Sequence, residues 1–378
     1  MLPYGRHAVD QDDIDAVVDV LQNQFLTQGS TVPAFESALC DYTQAAHTLA
    51  VNSGTSALHV ACLAAGVGPS DLVWTVPNSF VASANCARYC GADVDFVDID
   101  PLTRNISIKG LKSKLANCSK FPKVLIVVHF AGVSCDMQAI AALTCRHNIT
   151  LIEDAAHALG ATYQDKPVGS CQFSDMTVLS FHPVKSITSA EGGAITTNDK
   201  GLLERLTLFA KHGITREPSS LEDKEQGAWY YEQQVLGYNY RMSDIHGALG
   251  LSQLNKLDAF IQHRREKAAF YLTALRPLPI RLPSEETLAT SAWHLFMIEL
   301  STHDRKAVFD ALRSRGIGVN VHYIPIHIQP YYQKLGFQKG DFPYSEAFYK
   351  HAITLPLFPT MTPSQQQLVI DTLIDVLQ

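Results

Sequence analysis

The segment Ser180-Phe181-His182-Pro183-Val184-Lys185-Ser186-Ile187-Thr188, with Glu191-Gly192-Gly193 just beyond it, decides how this chain is read. Met176 to Phe181 is strand-like, and the Pro183-containing turn after it sets Lys185 at a sheet edge, facing a pocket. A free lysine amine titrates at about 10.4, so it is a useful nucleophile near neutral pH only where burial or a neighbouring cation disfavours its charge. A lysine chosen at random is a solvated surface group, so the reading rests on what other segments supply.

Three segments supply parts of a pyridoxal phosphate site. In Val51-Asn52-Ser53-Gly54-Thr55-Ser56-Ala57-Leu58-His59, a short apolar run meets a helical pattern through small polar residues. The unpaired N–H groups and positive dipole of a helix start stabilise an anion. Gly54 admits a phosphate close to the backbone, and Thr55 and Ser56 add hydroxyl donors, although Ser and Thr are also ordinary N-caps. Thr150-Leu151-Ile152-Glu153-Asp154 is a buried-looking strand delivering two acids. Of these Asp154 is the one assigned to face the pyridine nitrogen, where a carboxylate keeps the ring protonated and electron-withdrawing. Its plainer reading is an N-cap for Ala155 to Leu159. His157, three residues on, lies within reach of the ring or is simply structural. Phe80, in Pro77-Asn78-Ser79-Phe80-Val81, follows a further strand and is either a stacking ring or ordinary core.

Taken together, Ser-Gly-Thr-Ser-Ala-Leu, Glu-Asp-Ala-Ala-His-Ala-Leu-Gly, Ser-Phe-His-Pro-Val-Lys-Ser-Ile-Thr and Ala-Glu-Gly-Gly-Ala resemble the nucleotide-sugar aminotransferases of the DegT/StrS type. The likeness runs on through Gly237-Tyr238-Asn239-Tyr240-Arg241-Met242-Ser243-Asp244-Ile245 and Val321-His322-Tyr323-Ile324-Pro325, over nearly the whole chain. Within that family it is nearest to the branch that aminates C4 of UDP-linked keto sugars in pseudaminic acid synthesis. The resemblance implies a fold type I pyridoxal phosphate transferase: an α/β large domain with a mostly parallel sheet between helices, and a smaller C-terminal α/β domain. It implies that Lys185 carries the coenzyme, Asp154 faces the pyridine nitrogen, His157 lies near the phenolic oxygen and Phe80 stacks. Gly54, Thr55, Ser56 and Ser180 would hold the phosphate. Asn239 would reach the phosphate in a partner subunit, in a homodimer with shared sites. Thr27, Gln28, Gly29, His322 and Tyr323 would line the sugar pocket. Related dehydratases of this fold carry His where Lys185 stands, which argues against their chemistry. The expected reaction moves an amino group, with L-glutamate as the expected donor, to C4 of a UDP-linked 4-keto-6-deoxy sugar. A 3-keto hexose, a 4-keto pentose or a non-catalytic coenzyme-binding sensor are the alternatives.

The cations available for a diphosphate are Arg6, Lys211, His212, Arg216 and Arg241, and the pattern does not choose among them. Arg241 also suits bidentate binding of the donor's carboxylate. A nicotinamide dehydrogenase is disfavoured because no Gly-x-Gly-x-x-Gly follows the first strands.

Composition sets bounds. A chain of 378 residues, 46% apolar, exceeds the usual single-core size, and two domains are expected, 1–250 and 251–378. Net charge −7 without a long basic run argues against nucleic acid. No membrane span and no signal peptide are apparent, so a cytoplasmic enzyme is expected. The eight cysteines read as reduced core filler, and no His-Glu-x-x-His pattern supports a metal.

Strands are expected at 48–51, 72–76, 94–99, 124–128, 150–152, 176–181 and 194–197, alternating with helices. Ile14, Val17, Val18 and Leu21 read as a core-facing helical stripe, and residues 243–271 as one long connecting helix. Arg264 to Lys267 reads as a solvated helix face and 277–283 as linker or loop. Residues 293–300 read as a strand, and 305–315 as a helix closed by Gly316.

Overall fold

A computed structural model describes residues 1–378. Seven strands form the main sheet: β1 (His47–Val51), β2 (Leu72–Thr75), β3 (Asp93–Phe96), β4 (Val124–Val128), β5 (Thr150–Asp154), β6 (Met176–Ser180) and β7 (Gly193–Thr197). Their order is β1-β7-β6-β5-β4-β2-β3. β7 runs antiparallel to both neighbours and every other pairing is parallel. This is the α/β class expected, with each strand within a few residues of its expected limits.

The strands are apolar on both faces because helices cover both. Val124, Ile126, Ile152, Val178 and Ile195 point to a core shared with α3 (Gly54–Ala64) and α4 (Ala82–Tyr89), which follow α1 (Gln11–Asn23) and α2 (Thr31–Thr43) in the chain. Their alternate neighbours Leu125, Val127 and Leu151 face a second core with Leu111 and Ile140. The two-residue period therefore sends Asp154 to the α3/α4 side and Glu153 to the other.

A three-stranded antiparallel sheet, Ile280–Arg281, Phe296–Leu300 and Ala352–Leu355, has its own core against the helices Arg305–Ser314 and Pro363–Leu377. The 277–283 segment is thus not a plain linker, since Ile280 and Arg281 pair with Leu300 and Glu299 as an edge strand. The expected strand at 293 begins only at Phe296, because Trp293 sits at φ 46° and turns the chain. The helix at 305 ends at Ser314, and Gly316 follows at φ +87°.

Four other expectations are corrected. The long helix breaks at Asn255–Lys256 into Asp244–Leu254 and Leu257–Leu275. The first helix, Gln11–Asn23, turns its Ile14, Val18 and Leu21 stripe outward and leaves Val17 half-buried. It docks through Asp13 and Val20 instead, because buried Asp13 accepts hydrogen bonds from Ser252 Oγ (2.6 Å) and Gln253 Nε2 (2.7 Å) and pairs with Lys256 (3.0 Å). In the charged run from Arg264, Arg264 itself is only 1% exposed. Of the cysteines, all free, Cys145 is exposed and Cys40 and Cys118 are half-buried, so core filling describes only the remaining five. No helix is long and apolar enough to cross a membrane.

The two sheets meet at Gly132, after β4, at φ +101°. A Cβ there would lie 2.8 Å from Trp293 N, 3.0 Å from His294 N and 3.1 Å from His157 O, all backbone atoms with little room to move. Gly132→Ala is expected to cost about 1–3 kcal/mol from the backbone conformation alone, and more from the clash. A thermal midpoint unchanged from wild type in calorimetry would disprove this account of the seam.

Candidate active site

Strand register assembles the site. Ser180, the last residue of β6, pairs with Gly193, and Gly193 pairs with Val51 at the end of β1. The chain then turns through Ser53, which caps α3 by accepting from Ser56 N at 3.1 Å. The capping reading and the anion reading are therefore compatible, since Ser53 satisfies one amide and leaves those of Gly54 and Thr55 at the helix start. Ser56 Oγ is 2.9 Å from Ser53 Oγ and the residue is buried. Both glycines are required by close approach. A Cβ on Gly54 would lie 2.9 Å from Ser180 Cβ, and one on Gly193 would lie 2.6 Å from Gly54 N.

Asp154 ends β5, one strand away, and is 5% exposed. Ser83 Oγ donates to its Oδ2 at 2.6 Å, and Ser79 Oγ is 2.7 Å from Ser83 Oγ, so α4 and the loop before it hold the carboxylate. No helix follows Asp154. It accepts from Ala156 N (3.2 Å) within a turn that carries His157, so the N-cap alternative fails. Glu153 faces away, accepting from His129 Nε2 at 2.6 Å and Thr177 Oγ1 at 3.1 Å.

Lys185 follows β6 in the expected turn, its N–H donating to His182 O at 2.9 Å. It is partly buried, and its amine is pushed down to about 8, chiefly by burial, with the Asp154 charge opposing the shift. Around it, His157 Nε2 lies 3.1 Å from the Tyr323 hydroxyl, and Phe80, 57% exposed, sets its ring 6.3 Å from that of Tyr323. His322 is buried, with Nδ1 2.8 Å from Thr354 Oγ1. Burial and then Lys185 hold His322 down at about 3, and burial, Lys185 and His322 hold His157 well below its ordinary range. Burial, Tyr4 and Asp154 raise the Tyr323 phenol. The pocket thus sets one carboxylate and one amine of lowered titration among imidazoles held uncharged.

The structure brings Lys185, Asp154, His157, His322 and Tyr323 together, and places Gly54, Thr55, Ser56 and Ser180 at one sheet edge. Asn239 and Arg241 lie beside that edge. Asn239 O accepts from Asn52 Nδ2 (3.5 Å), and Arg241 bridges to Val51. Exposed Asn239 also bridges to Lys211, and His212 N donates to Tyr238 O at 2.9 Å. Within one chain, no side-chain bond links Asn239, His212 or Arg241 to Lys185. Thr27 and Gln28 are exposed, Gln28 at φ 58°, and the loop is tied down by Asp244 through the amides of Gly29 (2.9 Å), Thr31 (3.0 Å) and Val32 (3.1 Å). Asp244, Ser79, Ser83 and His294 were not singled out from the sequence. Only the i, i+4 spacing of Ser79 and Ser83 hinted at a shared face.

A sequence model of the DegT/DnrJ/EryC1/StrS aminotransferase family matches residues 7–374, and the chain belongs to that family. It is 38% identical over 384 residues to the UDP-4-amino-4,6-dideoxy-N-acetyl-beta-L-altrosamine transaminase of Campylobacter jejuni, covering 100% of this chain and 98% of the relative. It is 36% identical to the spore coat polysaccharide biosynthesis protein SpsC of Bacillus subtilis, covering 100% and 97%. Among solved structures, Helicobacter pylori PseC, an aminotransferase involved in the biosynthesis of pseudoaminic acid, superposes with a TM-score of 0.91 at 32% identity over 100% of this chain and 99% of that one. The sugar aminotransferase Spr1654 from Streptococcus pneumoniae, described as putative and solved in a PLP-form, gives 0.90 at 29% identity, covering 99% and 98%.

Because the Asp154 charge supports the protonated amine, Asp154→Asn is expected to move the Lys185 titration below about 8. This is checked in coenzyme-free protein by the pH dependence of reductive methylation at Lys185, read by peptide mass spectrometry. A midpoint that stays put or rises would contradict the electrostatic account.

Proposed function

We propose that this family member moves an amino group from L-glutamate to C4 of a UDP-linked 4-keto-6-deoxy amino sugar, using pyridoxal phosphate held at the Lys185 site. The observation that carries the proposal is the pairing of a depressed, partly buried lysine with one buried carboxylate, beside a helix start that only glycines allow. That donor set fits the coenzyme. Lys185 would carry it, Asp154 would meet the ring nitrogen, and Gly54, Thr55, Ser56 and Ser180 would receive the phosphate. Phe80 offers an exposed ring for stacking, and His157 would meet the phenolic oxygen. Bound there, the coenzyme supplies an electron sink for charge developing at the donor's α carbon.

The chain's own contribution is proton handling and orientation. Near pH 8 a large fraction of Lys185 is neutral, so its Nζ is able to take the proton from the donor's α carbon, a positioned transfer of about 10²–10⁴-fold in rate. Asp154 keeps its place through Ser83 and Ser79. Thr27, Gln28, Gly29, His322 and Tyr323 are assigned to the sugar. Arg241 is assigned to the donor carboxylate or the diphosphate, and His212 to the diphosphate. Both half-reactions use one site, so ping-pong kinetics follow.

The dimer belongs to the same proposal. Trp229, Tyr231 and Leu236 are 75%, 49% and 79% exposed on the segment leading to Asn239, and the outward stripe of the first helix adds Ile14, Val18 and Leu21. A second copy would cover such surface and let Asn239 reach its partner's phosphate. The division at residues 250 and 251 and a cytoplasmic location, favoured by eight free thiols, complete the reading.

Lys185→Ala should fold, lose the lysine-linked coenzyme absorbance and lose transamination. Absorbance retained, with borohydride trapping on another lysine, would reassign the carrier. The substrate is tested by offering UDP-, GDP- and dTDP-linked keto sugars with glutamate and identifying products by NMR. Amination at C4 of the UDP sugar is expected. A 3-amino product or preference for another nucleotide would overturn the substrate and leave the aminotransferase reading standing, and absence of turnover with every sugar would favour a sensor.

A further inference from the structure

Three buried polar atoms near the site have no hydrogen-bond partner and no part in the proposed reaction: His157 Nδ1, His294 Nδ1 and Arg264 Nε. They are consecutive in space. The His157 and His294 rings lie 4.4 Å apart, tilted by 41°. Arg264 Nη1 donates to the carbonyls of Trp293 (3.3 Å), His294 (3.4 Å) and Leu357 (3.0 Å).

Arg264 is a cation in the interior with no carboxylate beside it, and burial alone lowers its titration, to about 10. Burying an unpaired charge costs several kcal/mol unless fixed dipoles replace water, and three convergent carbonyls are such dipoles. The segment that carries two of them, Trp293 and His294, is also held from its other side. Ala292 N donates to Gly132 O (3.0 Å), Leu295 N to Ala131 O (3.3 Å) and Trp293 Nε1 to Leu288 O (3.1 Å). With Trp293 pinned at φ 46°, the ring of His294 has a fixed address against His157.

We infer that Arg264 and His294 are positioning residues, which fix the ring of His157 and, through its Nε2 bond, the Tyr323 hydroxyl over the Lys185 site. Arg264 acts on the His294 backbone and His294 acts by ring packing. Neither touches the reacting atoms. The charged and titratable groups facing the two rings are Lys185, His322, Tyr323 and Arg264. Burial first, then His157, Lys185, Arg264 and His322, keep His294 uncharged, so two adjacent imidazoles stay neutral. A neutral His157 bonded to Tyr323 holds one tautomer, and a loosened ring would exchange between two.

The inference rests on the proposed function for its bearing on the coenzyme, so the experiment reads the two separately. In coenzyme-free full-length protein labelled with ¹⁵N-histidine, the ring nitrogens of His157 should report a single neutral tautomer. His294→Ala should average the two tautomers, while His294→Phe, which keeps a ring of similar size, should retain one. Arg264→Met should reproduce the His294→Ala spectrum and Arg264→Lys should retain the wild-type one. If Arg264→Met fails to fold, the two His294 variants decide. A wild-type His157 spectrum in His294→Ala, or tautomer averaging already in the wild type, overturns the inference. Titration with pyridoxal phosphate should show Kd weakened about tenfold in His294→Ala, the worth of one hydrogen-bonded contact. Failure of the wild type to bind pyridoxal phosphate would sink the proposed function and leave the tautomer result intact.

Discussion

Side by side at one edge of the main sheet stand Val51, Gly193 and Ser180, and the register that puts them there is the constraint on which the site depends. It leaves room for the start of α3 only because two of the residues that meet are glycines. A Cβ on either would fall at 2.9 Å or less from its neighbours. The same two-residue alternation along β5 turns Asp154 toward α4 and Glu153 away. The free amides at the start of α3, a carboxylate and the turn bearing Lys185 therefore converge through strand register, and Ser83 then holds the carboxylate in place.

Electrostatics follow from that geometry. A lysine kept near pH 8 by burial sits with a single carboxylate that opposes the shift and with rings that stay neutral. The neutrality of His157 and His322 matters, since a second and third cation would drive Lys185 lower still and repel any cationic donor group. The positive charge among these side chains is therefore concentrated at one amine, the group to which the proposed function gives the proton.

Between the two sheets the packing is backbone against backbone at Gly132 and carbonyl against guanidinium at Arg264. Such contacts tolerate little sliding, and they fix the approach of Tyr323 and His322, which come from the second region, to Lys185 and Asp154, which come from the first. The loop at Thr27 to Gly29 is set by one buried acid, Asp244, which takes three backbone amides. An alanine there would leave those donors without their acceptor.

Much of this was legible in the chain. Apolar runs of three to six residues separated by helical patterns located all seven main strands, because a parallel sheet buried on both faces must be continuously apolar. The Lys185 turn, the Ser-Gly-Thr-Ser junction and Asp154 at a strand end were legible because each is a local device, a few residues whose chemistry depends on the immediate backbone. What the chain did not disclose depends on contacts between distant segments. The apolar stripe of the first helix faces outward because buried Asp13 finds Ser252, Gln253 and Lys256, a match that periodicity cannot register. Arg264 reads as one of several surface charges, and only the carbonyls of Trp293, His294 and Leu357 make its burial tolerable. Local pattern determined the elements and the chemistry they carry. Tertiary structure decided which polar groups meet, since the partner that lowers the cost of a buried charge lies far away in sequence.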